Sequence, residues 1–321
     1  MKFNNIVVVG GGVLGSQIAL MSAYSGHNVT ILLRSQSSVE RTLARLERYT
    51  GLILADLAAA KDLIGNPLGA KLYPKGLIAD WNAVTEQEID MLLEKGKKQM
   101  QENVSLELDM AAALKDADAV IEAIAEDPQQ KIELYESMKD LMPAKTIICT
   151  NSSTLLPSMF AEHTGRPDRF CAMHFANSIW KRNTAEVMGH AGTDPEVYEQ
   201  VVELAQEINM IPLQVKKEQP GYLLNTMLIP FQWAGLQLWA DEVADAQTID
   251  RTWELATGAP SGPLSISDRV GLETIYNINL MMPGAQEEGT PANRLGKKLK
   301  EKIDRGETGA NAGIGFFDYR K

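Results

Sequence analysis

Along the first two thirds of the chain, short apolar runs alternate with stretches of helical spacing. That rhythm is the pattern of buried strands joined by crossover helices. Ile6-Val7-Val8-Val9 runs directly into Gly10-Gly11-Gly12 and then a helical stretch that ends at Gly26, and residues 29–33 read as a second strand. Residues 38–53 look helical. Residues 54–80 form a mixed segment with turn signals at Gly65-Asn66-Pro67 and Tyr73-Pro74-Lys75-Gly76, read as an insertion. Thr85-x-x-Glu88 is a capping box that opens an amphipathic helix to about residue 102, expected to project from the sheet.

The alternation then resumes, with strands at 119–124, 146–150, 169–175, 184–188 and 211–215. Asp127-Pro128 and Asp194-Pro195 supply the N-cap and first residue of helices that run to about 141 and 209. The predicted fold class is α/β, a Rossmann-type doubly wound parallel sheet over residues 1–217 with the insertion near 54–80. Beyond Lys217 the pattern changes. Pro220-Gly221 marks a break, and 222–238, 248–256, 267–281 and 293–303 all read as helices, giving a smaller all-helical C-terminal domain over 218–321. Met227, Phe231 and Trp239 form an apolar stripe that faces a core or a partner subunit.

Composition narrows the function classes. A chain of 321 residues with 45% hydrophobic and 23% charged residues is long enough for two domains and ordinary for a soluble globular protein. A net charge of -11 argues against nucleic acid or an anionic membrane as the main partner. Cys149 and Cys171 lie in apolar runs, which favours buried thiols over a disulfide, and four unpaired histidines give no metal signal. No apolar run reaches membrane-spanning length and no signal-type segment opens the chain, so a cytoplasmic location is expected.

The chemistry sits at the strand ends. In Gly10-x-Gly12-x-x-Gly15, Gly10 permits the tight turn, Gly12 lets a pyrophosphate approach the backbone, and Gly15 lets helix and strand pack closely. The helix start at Val13 and Leu14 adds main-chain N–H groups, so a dinucleotide is the expected cofactor. At the end of the second strand an acidic residue normally binds the adenosine ribose, but this chain has Leu33, then Arg34 and Ser35. A guanidinium and no repelling carboxylate favour NADP over NAD, with NAD the alternative. Ser153, His174 and Glu186 also fall at or near strand ends, and an imidazole beside a carboxylate is a natural base for a hydroxyl proton.

Further motifs carry a family resemblance. The runs from Ala119 to Asp127, Thr150 to Leu155, Met173 to Asn177, Ala185 to Val187, Gln219 to Asn225, Gly258 to Leu264 and Gly313 to Tyr319 resemble, in colinear order, motifs of the short-chain L-3-hydroxyacyl-CoA dehydrogenases. The resemblance implies an oxidoreductase of fatty acid metabolism acting at C3 of a 3-hydroxyacyl-CoA. It implies His174 as general base, Glu186 as its orienting carboxylate, Ser153 as hydrogen-bond donor to the substrate oxygen, and Asn225 and Asn177 at the substrate. Glu122 falls where the family has an acidic residue near the nicotinamide ribose; a structural carboxylate is the other reading. A homodimer through the C-terminal domain is also implied. His174-Phe175-Ala176-Asn177-Ser178 departs from the family's usual His-Phe-Phe-Asn-Pro, and this keeps open a small non-CoA substrate such as a hydroxy acid, sugar acid or carnitine-like compound.

Overall fold

Strand β1, Asn5–Val9, is central because its side chains are apolar on both faces. Ile6 and Val8 enter one hydrophobic cluster and Val7 and Val9 another, so both faces of the sheet are covered. The computed structural model describes residues 2–320. The chain divides into two compact units, Met1–Leu223 and Leu224–Lys321.

The first unit carries β1, β2 (Asn28–Leu32), β3 (Val104–Glu107), β4 (Ala119–Glu122), β5 (Ile147–Thr150), β6 (Phe170–Phe175), β7 (Thr184–Met188) and β8 (Ile211–Val215). Their order in the sheet is β3-β2-β1-β4-β5-β6-β7-β8. All neighbours run parallel except β6 and β7, which are antiparallel. This Rossmann-type sheet reverses its winding between β1 and β4, where doubly wound folds open a crevice. Sequence reading missed β3, a short half-buried edge strand, and the one-turn helix after it.

Helices α1 (Val13–Tyr24), α2 (Gln36–Ala59), α3 (Gly69–Leu72), α4 (Glu86–Glu102), α5 (Met110–Leu114), α6 (Pro128–Met138) and α7 (Pro195–Glu207) flank the sheet. Helix α2 runs past residue 53 and gives way to a 3-10 turn, Ala60–Leu63, and then to the short α3. Leu77 and Ile78 are buried, and the Tyr24 hydroxyl donates to the Leu77 carbonyl at 2.8 Å. The Thr85 capping box of α4 is present, but the helix does not project freely. Ile89, Gly96 and Met100 are buried, and the absence of a Cβ at Gly96 admits the Tyr24 ring.

Cys149 and Cys171 are register partners on β5 and β6, both buried and free. Burial pushes the Cys171 thiol up to about 12, so both behave as core residues.

The second unit is helical: α8 (Tyr222–Ala240, its first two residues in the first unit), α9 (Ala246–Thr257), α10 (Pro263–Val270), α11 (Leu272–Leu280) and α12 (Pro291–Asp304). The expected helix over 267–281 is two helices, because Gly271, at φ +99°, breaks it. Leu236, Ile249, Leu264, Leu295 and Leu299 build its core. Trp239 meets Phe316 edge-on and Phe231 packs on Trp253, while Met227 is exposed. The buried Asp268 carboxylate accepts from Phe316 N, Phe317 N and the Tyr319 hydroxyl, which clamps the C-terminal tail. No helix among the described residues is long and apolar enough to cross a membrane.

Candidate active site

A cavity of about 1020 Å³ opens at the C-terminal ends of β1, β2, β4 and β5, lined by Gly10 to Leu14, Leu33, Arg34, Ala123 to Glu126, Asn151 and Ser153 among others. The glycine turn forms its floor. Gly10 takes φ +106°, and a Cβ there would sit 2.8 Å from the Ala123 carbonyl oxygen. At Gly15 a Cβ would collide with the Gly10 carbonyl, so only hydrogen lets α1 start this close to β1. Gly12 faces open space within the cavity. It is also the N-cap of α1 and offers no side-chain acceptor to the first-turn N–H groups. Bare backbone amides at a helix start, with no Cβ in the way, fit a pyrophosphate.

Behind this floor, Glu122 is fully buried and both its oxygens are engaged. Oε1 accepts from Lys131 Nζ at 2.6 Å and Ile124 N at 2.8 Å; Oε2 accepts from the Tyr135 and Thr150 hydroxyls, each at 2.8 Å. It does not line the cavity; Glu126 does. The Glu126 Oε1 accepts from Ser152 Oγ, Ser153 N, Thr154 N and Thr154 Oγ1 between 2.6 and 3.0 Å, and Lys131 Nζ lies 3.5 Å from Oε2. Burial acts to raise the Glu126 carboxyl. The Ser152 hydroxyl, Lys131 and Thr154 outweigh it and hold the group below the usual carboxylate range. One carboxylate thus fixes the loop that carries Ser153 at the cavity wall.

His174 and Glu186 are directly opposed on the antiparallel β6–β7 pair, where facing residues share one side of the sheet. His174 Nδ1 lies 3.0 Å from Glu186 Oε2, and both side chains are buried. Glu186 Oε1 accepts from Leu223 N at 2.8 Å, and the Tyr222 ring stacks on the imidazole at 4.7 Å. A carboxylate at Nδ1 orders the ring and places the lone pair of the neutral imidazole on Nε2. Asn151 links this pair to the cavity: its Oδ1 accepts from Phe175 N at 3.1 Å while the residue itself lines the cavity wall.

Several of the other expected residues line the same cavity. Val13 and Leu14 line the cavity with Gly10 and Gly12, and Arg34 lies exposed at its edge. Ser35 is the N-cap of α2, with its hydroxyl 3.1 and 3.0 Å from those of Ser37 and Ser38. Asn177 is exposed on the loop after β6, whose backbone is held by Gln17 Oε1 on Ser178 N at 2.9 Å. Trp180 Nε1 donates to Asp56 Oδ2 at 2.7 Å, tying that loop to α2. Asn225 belongs to the second unit, on α8.

Sequence reading missed Glu126, Tyr222, Arg41 and Arg45. The last two could have been found from helical spacing, because Ser38, Arg41, Thr42 and Arg45 recur at i, i+3, i+4 and i+7 and all line the cavity.

A dinucleotide floor beside a carboxylate-oriented histidine is what a hydroxyl-to-carbonyl oxidoreductase needs. The NAD binding domain of 3-hydroxyacyl-CoA dehydrogenase matches residues 5–65 and 75–219, and the C-terminal domain of the same enzymes matches residues 221–319. The chain belongs to the 3-hydroxyacyl-CoA dehydrogenase family. It is an oxidoreductase of that family, built to use a nicotinamide cofactor. A 3-hydroxybutyryl-CoA dehydrogenase of Clostridioides difficile is 30% identical over 98% of this chain and 99% of its own length. A probable 3-hydroxyacyl-CoA dehydrogenase of Caenorhabditis elegans is 30% identical over 99% of this chain and 94% of its own. Among solved structures, a diketoreductase that acts on dicarbonyl compounds is 40% identical, with a TM-score of 0.81, covering 99% of this chain and 100% of that one. FadB2 of M. tuberculosis, 22% identical with a TM-score of 0.75 over 100% of both chains, shares the fold of this family member.

Proposed function

We propose that this chain interconverts a 3-hydroxyacyl-CoA and its 3-oxoacyl-CoA, with His174 as general base. A nicotinamide cofactor held on the glycine turn would supply the hydride acceptor for substrate C3. His174 Nε2 takes the hydroxyl proton as the C3–H bond breaks and returns it in the reverse direction. Glu186 orients the ring and steadies its cationic form through Nδ1, and the 3.0 Å His174–Glu186 contact is the observation that carries the proposal. Ser153 donates to the substrate oxygen from the wall that Glu126 holds, and Asn177 and Asn225 position the substrate. Gly10, Gly12, Val13 and Leu14 would hold the cofactor pyrophosphate, and Gly15 lets α1 pack closely enough to present them.

NADP is favoured over NAD because Leu33 stands where a carboxylate would repel a 2′-phosphate, with Arg34 and Ser35 next to it. The two free thiols fit a reducing compartment such as the cytoplasm. A homodimer through the helical unit completes the proposal; light scattering tests it.

A second reading rests on the diketoreductase at 40% identity and on the small Ala176 and Ser178 that flank Asn177. A 3-oxoacyl thioester is itself a dicarbonyl compound, so the same base serves a small substrate without CoA. The test is oxidation of NADPH and NADH with acetoacetyl-CoA, ethyl acetoacetate and acetylacetone. A kcat/KM for acetoacetyl-CoA at least about tenfold above the CoA-free compounds supports the thioester substrate. The reverse order supports the second reading, and turnover of none removes both.

A further inference from the structure

Helix α2 lies directly on the glycine turn. A Cβ on Gly11 would run into Thr42, and the Gly11 carbonyl accepts from Thr42 Oγ1 at 3.4 Å and from Arg45 Nη1 at 3.3 Å. One face of α2, made by Ser38, Arg41, Thr42 and Arg45, therefore forms a wall of the dinucleotide cavity beside the end of β2. Arg34, at the start of that wall, brings a third guanidinium.

The charges around the cavity are segregated. Arg34, Arg41 and Arg45 stand on the β2–α2 side, while the lining carboxylates, Glu126 and Glu133, come from the segment after β4 and from α6. Among the described residues none of the three arginines is ion-paired with a carboxylate. The first turn of α2 carries no acidic residue, and its N-cap, Ser35, makes no side-chain cap hydrogen bond. Arg41 Nη2 donates to Ser38 Oγ at 3.3 Å, which holds a hydroxyl and a guanidinium side by side. Each guanidinium has five N–H donors, and these contacts occupy few of them.

From this arrangement we infer that the α2 face is a phosphomonoester subsite, in which Arg41 and Arg45 grip the 2′-phosphate of NADP and Ser38 and Arg34 complete the shell. The inference rests on the reading of the cavity as a dinucleotide site. It moves the determinant of cofactor choice from the strand end to the second and third turns of α2. With a neutral ribose hydroxyl, the pyrophosphate at the glycine turn would be the only anion the cofactor offers to these three guanidinium groups. A dianionic phosphate neutralises them and forks onto a guanidinium. The Ser35 hydroxyl is not required, since it is turned toward Ser37 and Ser38.

The test is titration calorimetry on the full chain with NADP⁺, NAD⁺, 2′,5′-ADP and 5′-AMP, at two ionic strengths. Binding of NADP⁺ about tenfold or more tighter than NAD⁺ is expected, as is a similar margin for 2′,5′-ADP over 5′-AMP. The advantage should shrink with added salt. Arg41→Ala, on an exposed stretch of helix, should weaken NADP⁺ by about tenfold and leave NAD⁺ within about twofold. Arg45→Ala also removes the contact to the Gly11 carbonyl, so it should weaken both dinucleotides, and NADP⁺ by several-fold more than NAD⁺; unchanged NAD⁺ binding by the Arg41 variant shows that it is folded. NAD⁺ binding as tight as NADP⁺, or arginine variants that weaken both alike, overturns the subsite and leaves the dinucleotide reading standing. Binding of neither dinucleotide by folded protein overturns both.

Discussion

Tyr222 lays its ring against the His174 imidazole, with centroids 4.7 Å apart and planes 22° from parallel. The tyrosine is fully buried and sits at φ +54°, a left-handed conformation that costs a bulky residue about 1–2 kcal/mol. The next residue, Leu223, donates its N–H to Glu186. The last residues of the first unit thus fix the imidazole from its face and the carboxylate from behind, and burial of the ring offsets the strained backbone.

Tyr222→Ala should empty that space and lower stability by about 3–5 kcal/mol. Phenylalanine, which keeps the ring, should lose far less. Urea unfolding of both variants measures the difference, and equal losses would assign the effect to the hydroxyl instead of the stack.

His174→Ala should reduce kcat by about 10²–10⁴-fold with dinucleotide affinity unchanged. Glu186→Gln should lower kcat as well, because a carboxamide cannot steady the imidazolium as a carboxylate does. Steady-state kinetics set beside cofactor titration separates these outcomes from misfolding, which would remove both activities together.

The Glu126 carboxyl is held below its ordinary value of 4.5, so the folded state resists its protonation. Its contribution to stability is therefore present above that ordinary value and is lost as the pH falls through the lower folded value. Glu126→Gln should be less stable than the parent at neutral pH, with the gap closing in acid. Urea midpoints followed from about pH 7 to pH 3 test the sign. Ser153 rides on the same loop, so kcat/KM of the glutamine variant should fall at neutral pH too.

Gly15→Ala should push α1 away from the glycine turn, since the added Cβ meets the Gly10 carbonyl. A loss of about 1–3 kcal/mol is expected, together with weaker binding of either dinucleotide. A crystal structure of the variant would show the shift, and unchanged affinity would contradict the role assigned to close packing at this turn.

Much of the fold was legible because it is encoded locally. The Ile6-to-Val9 run into the glycine turn, the Thr85 capping box and the Asp127-Pro128 and Asp194-Pro195 helix starts each need only a few neighbouring residues, and each is present as read. Chain order and apolar spacing were enough to determine an α/β unit followed by a helical one, and to place His174 and Glu186 on successive strands. The rest depended on residues distant in sequence. β3 was missed because an edge strand buries too little to imprint an apolar run, and α4 was expected to project because its charged face hid the Gly96 notch that seats Tyr24. Glu122 and Glu126 look alike as acidic residues four apart. Only the packed structure turns one inward to Lys131, Tyr135 and Thr150 and leaves the other to hold the Ser153 loop. Composition and local spacing specify which chemical groups the protein owns and most of the elements that carry them. The tertiary structure alone decided that β7 runs antiparallel to β6, and with it that Glu186 lies opposite His174, because strand direction and register are set by packing between segments that spacing along the chain does not describe.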